Sequence, residues 1–254
     1  MSYILALDTA SDYCSVALMN PSEPSSQLLE IRRHAPRQHT QLLLPMVDEL
    51  LKQANITRKD LIAIAFGAGP GSFTGLRICF AVVQGLAFGL DIPVIPVSTL
   101  AAMANAQHQQ LLDKPLEQAL SEDALYFSCL DARMNQVYWG GYRFDGRKLI
   151  ALQDDALDDP AAALEKMQML AKQAQSQKPT KLYCGGPGWH YPELNVFSQQ
   201  ATGLDQNIEP WAGDVLTIAC REWADGVAEN IRQVQPVYLR NEISWEKRKR
   251  IRQP

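Results

Sequence analysis

The chain has 254 residues, of which 46% are hydrophobic, and its formal net charge is −4. This length fits one large domain or two small ones, and no apolar run approaches the roughly 18 residues that span a bilayer, which argues against a transmembrane protein. The N-terminus lacks a basic flank and reaches Asp8 too early for a signal peptide. The five cysteines are widely spaced and odd in number, so we predict free thiols in a reducing compartment and a cytoplasmic protein without a membrane partner.

The first half of the chain predicts a sheet flanked by helices. A hairpin joins the first two strands through residues 10–12, and Ser98 is suited to cap the third helix. Apolar residues recur at helical spacing in the first helix. The predicted elements are, in chain order, three strands at 3–9, 13–19 and 25–33, a helix at 38–54, a strand at 61–66, a helix at 73–89, a strand at 93–97 and a helix from 98 onward.

The second half repeats this order of elements after a polar break at residues 108–123. The predicted elements are strands at 125–131, 136–144 and 148–153, a helix at 160–175, a strand at 181–184, a glycine turn at 185–188 and a helix at 213–232. Two such halves predict a two-lobed α/β fold of the actin-like or sugar-kinase-like (ASKHA) type, with a mixed sheet and flanking helices in each lobe and a reduced second lobe. We assign residues 1–106 and 213–232 to the first lobe, 107–212 to the second and 233–254 to an extended basic tail.

The most informative motif is the glycine-rich loop at residues 67–77, which connects a buried strand to a helix. Glycine permits close backbone approach, and a helix N-terminus offers free N–H groups to an anion. The loop lacks the lysine of a P-loop. Two interpretations remain open: backbone amides that face a nucleotide, or a tight scaffold turn capped by Ser72.

Two further turns could belong to a nucleotide site. Asp8 lies where a carboxylate could hold a metal or water, but an Asx turn is the favoured interpretation. Gly185 and Gly186 could lie against an adenine ring, but Pro187 and Trp189 favour a closed turn with the indole in the core. We interpret eight residues as degenerate remnants of a nucleotide site: Asp8, Thr9, Ser11, Gly69, Gly71, Ser72, Gly185 and Gly186.

The histidines do not predict a metal site. No pair of the four has the i, i+4 spacing that places two imidazoles on one ion, and no Ser–His–Asp arrangement can be nominated. We therefore predict no metal ligands and no catalytic residues in this chain.

The two first-lobe helices predict a contact with another chain. Helix 38–54 has a broad apolar face, and in helix 73–89 Ala81, Gly85 and Gly89 recur at four-residue steps that let a second helix come close. Packing against the sheet takes part of each face, and the remaining apolar residues favour an intermolecular contact. The predicted interface residues are His39, Leu42, Leu43, Met46, Leu50, Arg77, Phe80 and Val83.

Four segments, residues 4–11, 69–77, 84–87 and 236–240, resemble the TsaB (YeaZ) family, whose catalytic paralogue is TsaD. The resemblance implies a non-catalytic partner subunit in the transfer of threonylcarbamoyl to tRNA adenosine. It implies binding to a TsaD-like subunit through first-lobe helices, a homodimer when alone, a TsaE-like ATPase as a further partner, and tRNA contact through the complex. ATP and a metal are expected on the partners, with no cofactor on this chain alone.

The paired metal-binding histidines of the paralogue align with Thr99 and Met103, neither of which suits such a metal. Two alternatives remain: an ATP-dependent phosphotransferase of the same fold, and a peptidase acting on the TsaD-like subunit. The basic cluster that includes Lys247 to Arg252 could contact tRNA through phosphates and the adjacent Trp245, or could be a solvated tail.

Overall fold

Two β-sheets, each with central strands that are apolar along most of their length, organise this computed structural model, which describes residues 2–23, 27–112, 123–177 and 180–240. The first sheet has the order β3-β2-β1-β4-β5. Its strands are β1 (Tyr3–Asp8), β2 (Tyr13–Met19), β3 (Leu29–His34), β4 (Leu61–Gly69) and β5 (Val94–Ser98). β1 pairs antiparallel with β2 and parallel with β4, which makes the sheet mixed as predicted.

The second sheet has the order β11-β10-β6-β7-β8, and β9 also pairs with β7. Its strands are β6 (Ala124–Arg133), β7 (Gln136–Asp145), β8 (Lys148–Ala151), β9 (Ala156–Asp158), β10 (Lys181–Gly185) and β11 (Gly203–Asp205). The predicted antiparallel meander is confirmed as β6–β7–β8, while β10 pairs parallel with β6. The sequence did not predict β9 and β11, which are three residues each and too short for a periodic pattern.

Within the described residues, six α-helices cover the sheets. They are α1 (His39–Gln53), α2 (Phe73–Leu90), α3 (Thr99–Leu112), α4 (Pro160–Gln177), α5 (Asn195–Ser198) and α6 (Ala212–Ala224). Side chains alternate across β1, so Leu5 and Leu7 pack with α1 and α2, whereas Ile4 and Ala6 pack with α6. In the second sheet, Phe127 packs in the cluster that includes α4, and Tyr126 packs with α3. The first sheet is therefore buried on both faces, and α3 contributes to the cores of both lobes.

The last helix is shorter than predicted. α6 ends at Ala224, because Gly226 has a φ of 76° that no α-helix accommodates, and the expectation of a helix to Arg232 was wrong. The chain then returns to the first lobe, where Ile231 and Val234 are buried in the core beside α1 and α2. The third strand begins at Leu29, and part of the segment predicted for it, residues 25–26, lies outside the described residues. The basic tail beyond Arg240 also lies outside them.

Helix α2 is long and apolar enough to cross a bilayer, so the prediction that no apolar run approaches that length was wrong. Its 18 residues have a mean hydropathy of 1.6, and Arg77 is its single charged residue. By length and composition it could span a membrane, but one such helix is weak evidence, because the core helix of a soluble protein passes the same test. Here one face of α2 packs on the first sheet and buries Leu76, Cys79 and Val83.

Candidate functional site

The glycine-rich loop packs tightly on the turn between β1 and β2. Ser72 is the N-cap of α2, and its Oγ accepts a hydrogen bond from the Gly75 N–H at 3.3 Å, as predicted. The Ser72 N–H donates to the Ala10 carbonyl at 2.8 Å, and the Thr9 hydroxyl donates to the Gly75 carbonyl at 2.7 Å. The loop is therefore bound to the neighbouring turn through both backbone and side-chain groups.

The glycines of this loop are explained by lack of space. A Cβ atom at Gly71 would lie 2.7 Å from the Ala10 carbonyl oxygen, and one at Gly69 would lie 2.7 Å from the Val237 carbonyl oxygen. At Gly75 a Cβ would overlap the Thr9 carbonyl. These contacts favour the tight scaffold turn over a loop that faces an anion, because the space beside each glycine is filled by the protein's own backbone.

Asp8 is buried beneath the loop with 1% of its surface exposed. Its Oδ1 accepts from the Ala10 N–H at 2.9 Å, which confirms the Asx turn, and its Oδ2 has no hydrogen-bond partner among the described residues. Burial raises the pKa of this carboxyl to about 7; the Ala10 N–H opposes that shift, and the Glu209 carboxylate adds to it. A substantial share of Asp8 is therefore protonated near neutral pH.

The second-lobe glycine turn is also filled. Trp189 is completely buried, and its Nε1 donates to the Gly185 carbonyl at 3.2 Å. Gly186, at a φ of 111°, lies against the Cys129 carbonyl and the side chain of Met103. The closed turn predicted from the sequence, with the indole in the core, is confirmed.

A cleft of about 970 Å³ lies between the lobes. Of the eight proposed remnants, Ser11, Gly71 and Ser72 line it, while the other five are not among the described residues that line it. Most of its polar lining residues were not predicted from the sequence, because they come from β6, β7 and later segments that are far apart in the chain: Asp131, Arg133, Tyr138, His190, Glu209 and Arg240. One signal was present in the sequence: the segment 236–240, which resembles the TsaB family and had no predicted role in a cleft.

The two residues that the resemblance aligns with metal-binding histidines are buried in this chain. Thr99 and Met103 are both completely inaccessible at the start of α3. Across the described parts of the chain, no group of three or more His, Cys, Asp or Glu side chains could hold a metal ion.

The outer face of α2, which points away from the sheet, is the largest exposed feature of the predicted interface. We define it as Phe73, Arg77, Ala81, Gly85, Phe88 and Gly89, all of which are exposed. Phe73 and Phe88 are 41% and 50% exposed. A Cβ at Gly85 or Gly89 would meet no atom within 4 Å, so no packing within the chain explains these two glycines.

The predicted interface set needs correction. Five of its members are core residues of the chain itself, because the sheet covers a wider strip of each helix than the sequence suggested: His39, Leu43, Met46, Leu50 and Val83. The His39 Nε2 lies 3.0 Å from the Ser11 carbonyl and 3.1 Å from the Tyr13 carbonyl and so fixes the β1–β2 turn. Leu42 and Phe80 are half-buried and Arg77 is exposed, so these three remain available to a partner.

Comparison with known proteins identifies close relatives. The family model of TsaD, described as tRNA N6-adenosine threonylcarbamoyltransferase, matches residues 32–240. The tRNA threonylcarbamoyladenosine biosynthesis protein TsaB of Escherichia coli strain K12 is 35% identical over 96% of this chain and 97% of the relative. TsaB of Haemophilus influenzae is also 35% identical, over 96% of each chain. The solved structure of YeaZ from Pseudomonas aeruginosa is 36% identical, covers 94% of this chain and 100% of its own, and superimposes with a TM-score of 0.78.

Proposed function

Because the chain belongs to the TsaB family of tRNA threonylcarbamoyladenosine biosynthesis proteins, we propose that it acts in that pathway as the non-catalytic partner of a TsaD-like subunit. The complex would transfer a threonylcarbamoyl group to the adenosine next to the anticodon in tRNAs that read codons beginning with A. The observation that carries this proposal is the outer face of α2, which is apolar, rich in small residues and exposed.

The outer face of α2 combines exposed aromatic side chains with glycines. Phe73 and Phe88 are large aromatic side chains, and burying such side chains at an interface supplies much of its binding energy. Gly85 and Gly89 offer no side chain to pack, but they allow the backbone of a second helix to come close. A face with aromatic anchors and small residues between them is suited to helix–helix docking.

The proposal assigns the chemistry to the partner. The buried Thr99 and Met103, the burial of Asp8 and the filled turn at Gly186 each disfavour a metal- or ATP-dependent site in this chain. ATP and a metal would then be bound by the TsaD-like and TsaE-like subunits, and tRNA would be reached through the complex. In the absence of a partner, the same face of α2 would support a homodimer.

Replacing Gly85 with arginine tests the interface. The side chain would project into open space, and leaving glycine in an exposed helix raises intrinsic helix stability, so the variant should fold at least as stably as the parent chain. We expect it to weaken binding to the TsaD-like subunit by at least about 30-fold, because a long charged side chain would replace a close backbone contact. Analytical ultracentrifugation of the mixed subunits measures the change.

The matched control is Met169→Arg, which places the same side chain at a 64% exposed apolar position on α4 of the second lobe. It should leave binding unchanged. Equal binding by the parent chain and the Gly85→Arg variant would show that α2 does not form the interface. Substitutions at Met46 cannot serve as this test, because Met46 is fully buried and a charge there would unfold the chain.

We also expect the isolated chain to bind no nucleotide. Isothermal titration with Mg-ATP should give no heat beyond dilution, because the glycine turns that would hold phosphates and adenine are packed against Thr9, Ala10 and Cys129. Micromolar binding that is lost in an Asp8→Ala variant would instead favour the phosphotransferase alternative.

A further inference from the structure

We propose that residues 236–240 form a clasp that couples closure of the interlobe cleft to occupation of the outer face of α2. The clasp is attached to the first lobe at one end and to the second lobe at the other, and its side chains lie at the cleft between them. The coupling to a partner rests on the proposed function, whereas the clasp itself does not.

The clasp is attached to the first lobe by a backbone hydrogen bond to β4. The Val237 N–H donates to the Ala68 carbonyl at 2.7 Å. The Val237 carbonyl oxygen occupies the space that a side chain at position 69 would need, so glycine at that position allows the clasp to lie on the strand. The preceding Val234 is buried in the first-lobe core and anchors the segment.

The clasp is attached to the second lobe through the side chain of Arg240. The Arg240 guanidinium donates to Gln136 Oε1 at 2.5 Å and to the Arg133 carbonyl at 3.4 Å. These acceptors lie at the end of β6 and the start of β7, on either side of a tight turn in which Arg133, Met134 and Asn135 have φ values of 62°, 56° and 55°. Three successive non-glycine residues in the left-handed region are unfavourable, so this turn is held in its conformation by its contacts.

The clasp also touches the outer face of α2. The Tyr238 ring lies 5.3 Å from the Phe73 ring, and the Arg77 guanidinium lies 3.9 Å from the centre of the Phe73 ring and 5.9 Å from that of Tyr238. A helix docked on Phe73 would cover Tyr238 as well while the clasp is closed. A partner that makes this extra contact binds more tightly when both ends of the clasp are attached and the cleft is closed. By reciprocity, attachment of the clasp strengthens binding of the partner.

Hydrogen exchange of the full chain tests whether the two ends act together. We expect Arg240→Ala to accelerate exchange of the Val237 amide by at least about fivefold, although this amide is bonded to the other lobe. We expect Tyr238→Ala to accelerate exchange in the turn 133–136. The control is Arg143→Ala, at an exposed residue of β7, which should change neither. If each substitution changed exchange rates only at its own end of the segment, the clasp proposal would be wrong.

Binding to a TsaD-like subunit tests the coupling. Arg240→Ala should weaken binding by about fivefold while Arg143→Ala does not, and docking should slow exchange in the turn 133–136. Unchanged affinity in Arg240→Ala would overturn the coupling. Failure of the proposed function would appear separately, as undiminished binding by Gly85→Arg, and the exchange result would still decide the clasp.

Discussion

The Gly75→Ala substitution is expected to destabilise the fold by more than about 3 kcal/mol, although it adds a single methyl group. Gly75 lies in the first turn of α2, and the added Cβ would overlap the Thr9 carbonyl. Both groups belong to backbone that is hydrogen-bonded in place, because the Thr9 hydroxyl donates to the Gly75 carbonyl at 2.7 Å. Relief of the overlap requires α2 to move away from the β1–β2 turn, which breaks this bond and the Ser72–Ala10 bond.

The matched control is Gly85→Ala, which makes the same chemical change on the same helix. Its Cβ meets open space, so we expect a gain of about 0.5–1 kcal/mol from the higher helix propensity of alanine. Urea denaturation of the two variants measures both effects. A Gly75→Ala chain with the stability of the parent would show that the loop has room for a side chain, and the scaffold-turn interpretation would be wrong.

Stability is expected to fall as the pH rises from about 4 to about 7, and Asp8 should account for a large part of the loss. In the unfolded chain Asp8 titrates near its ordinary pKa of 3.8, whereas burial raises its pKa to about 7 in the folded chain. The folded state therefore holds a proton that the unfolded state has lost in this range. The difference of about 3 units corresponds to about 4 kcal/mol, lost progressively up to pH 7 and constant above it.

The Asp8→Asn variant isolates this contribution. It removes the ionisation and keeps an oxygen that can accept from the Ala10 N–H, so the variant should lose less stability between pH 5 and pH 8 than the parent. Asp12→Asn, at an exposed residue of the same turn, controls for the loss of a charge. Asp214, also buried and with a pKa raised to about 7, will leave some pH dependence in every variant. Parallel pH profiles for Asp8→Asn and the parent would contradict the assignment.

Most of the fold followed from local patterns. The apolar run at Leu61 predicted β4, and the helical spacing of apolar residues predicted α1. Both elements are present because the hydrophobic core lies on the sides where those apolar residues fall. Ser72 and Ser98 cap α2 and α3 as predicted. These caps were predictable because each serine hydroxyl accepts from a backbone N–H only three positions further along the chain. The last helix is shorter than predicted because Gly226 adopts a positive φ that ends it.

The candidate site was less predictable, because it depends on distances across the chain. Burial of Met46 and Val83 depends on how much of each helix the sheet covers, which periodicity along one helix does not report. Whether the loop at Gly71 faces an anion or Ala10 depends on a turn 60 residues earlier. The attachment of Arg240 to Gln136 joins two turns that no local pattern relates.

The discontinuity of the first lobe has a consequence for biosynthesis. Strands β6 to β11 are contiguous from Ala124 to Asp205, so the second sheet can be completed while the ribosome is still at work. The face of the first sheet that carries Ile4 and Ala6 is only partly covered, by α3, until α6 has been translated, and the opposite side lacks Ile231 and Val234 for longer still. The first lobe is thus begun first and completed last. During that interval its early strands must not associate with those of other nascent chains.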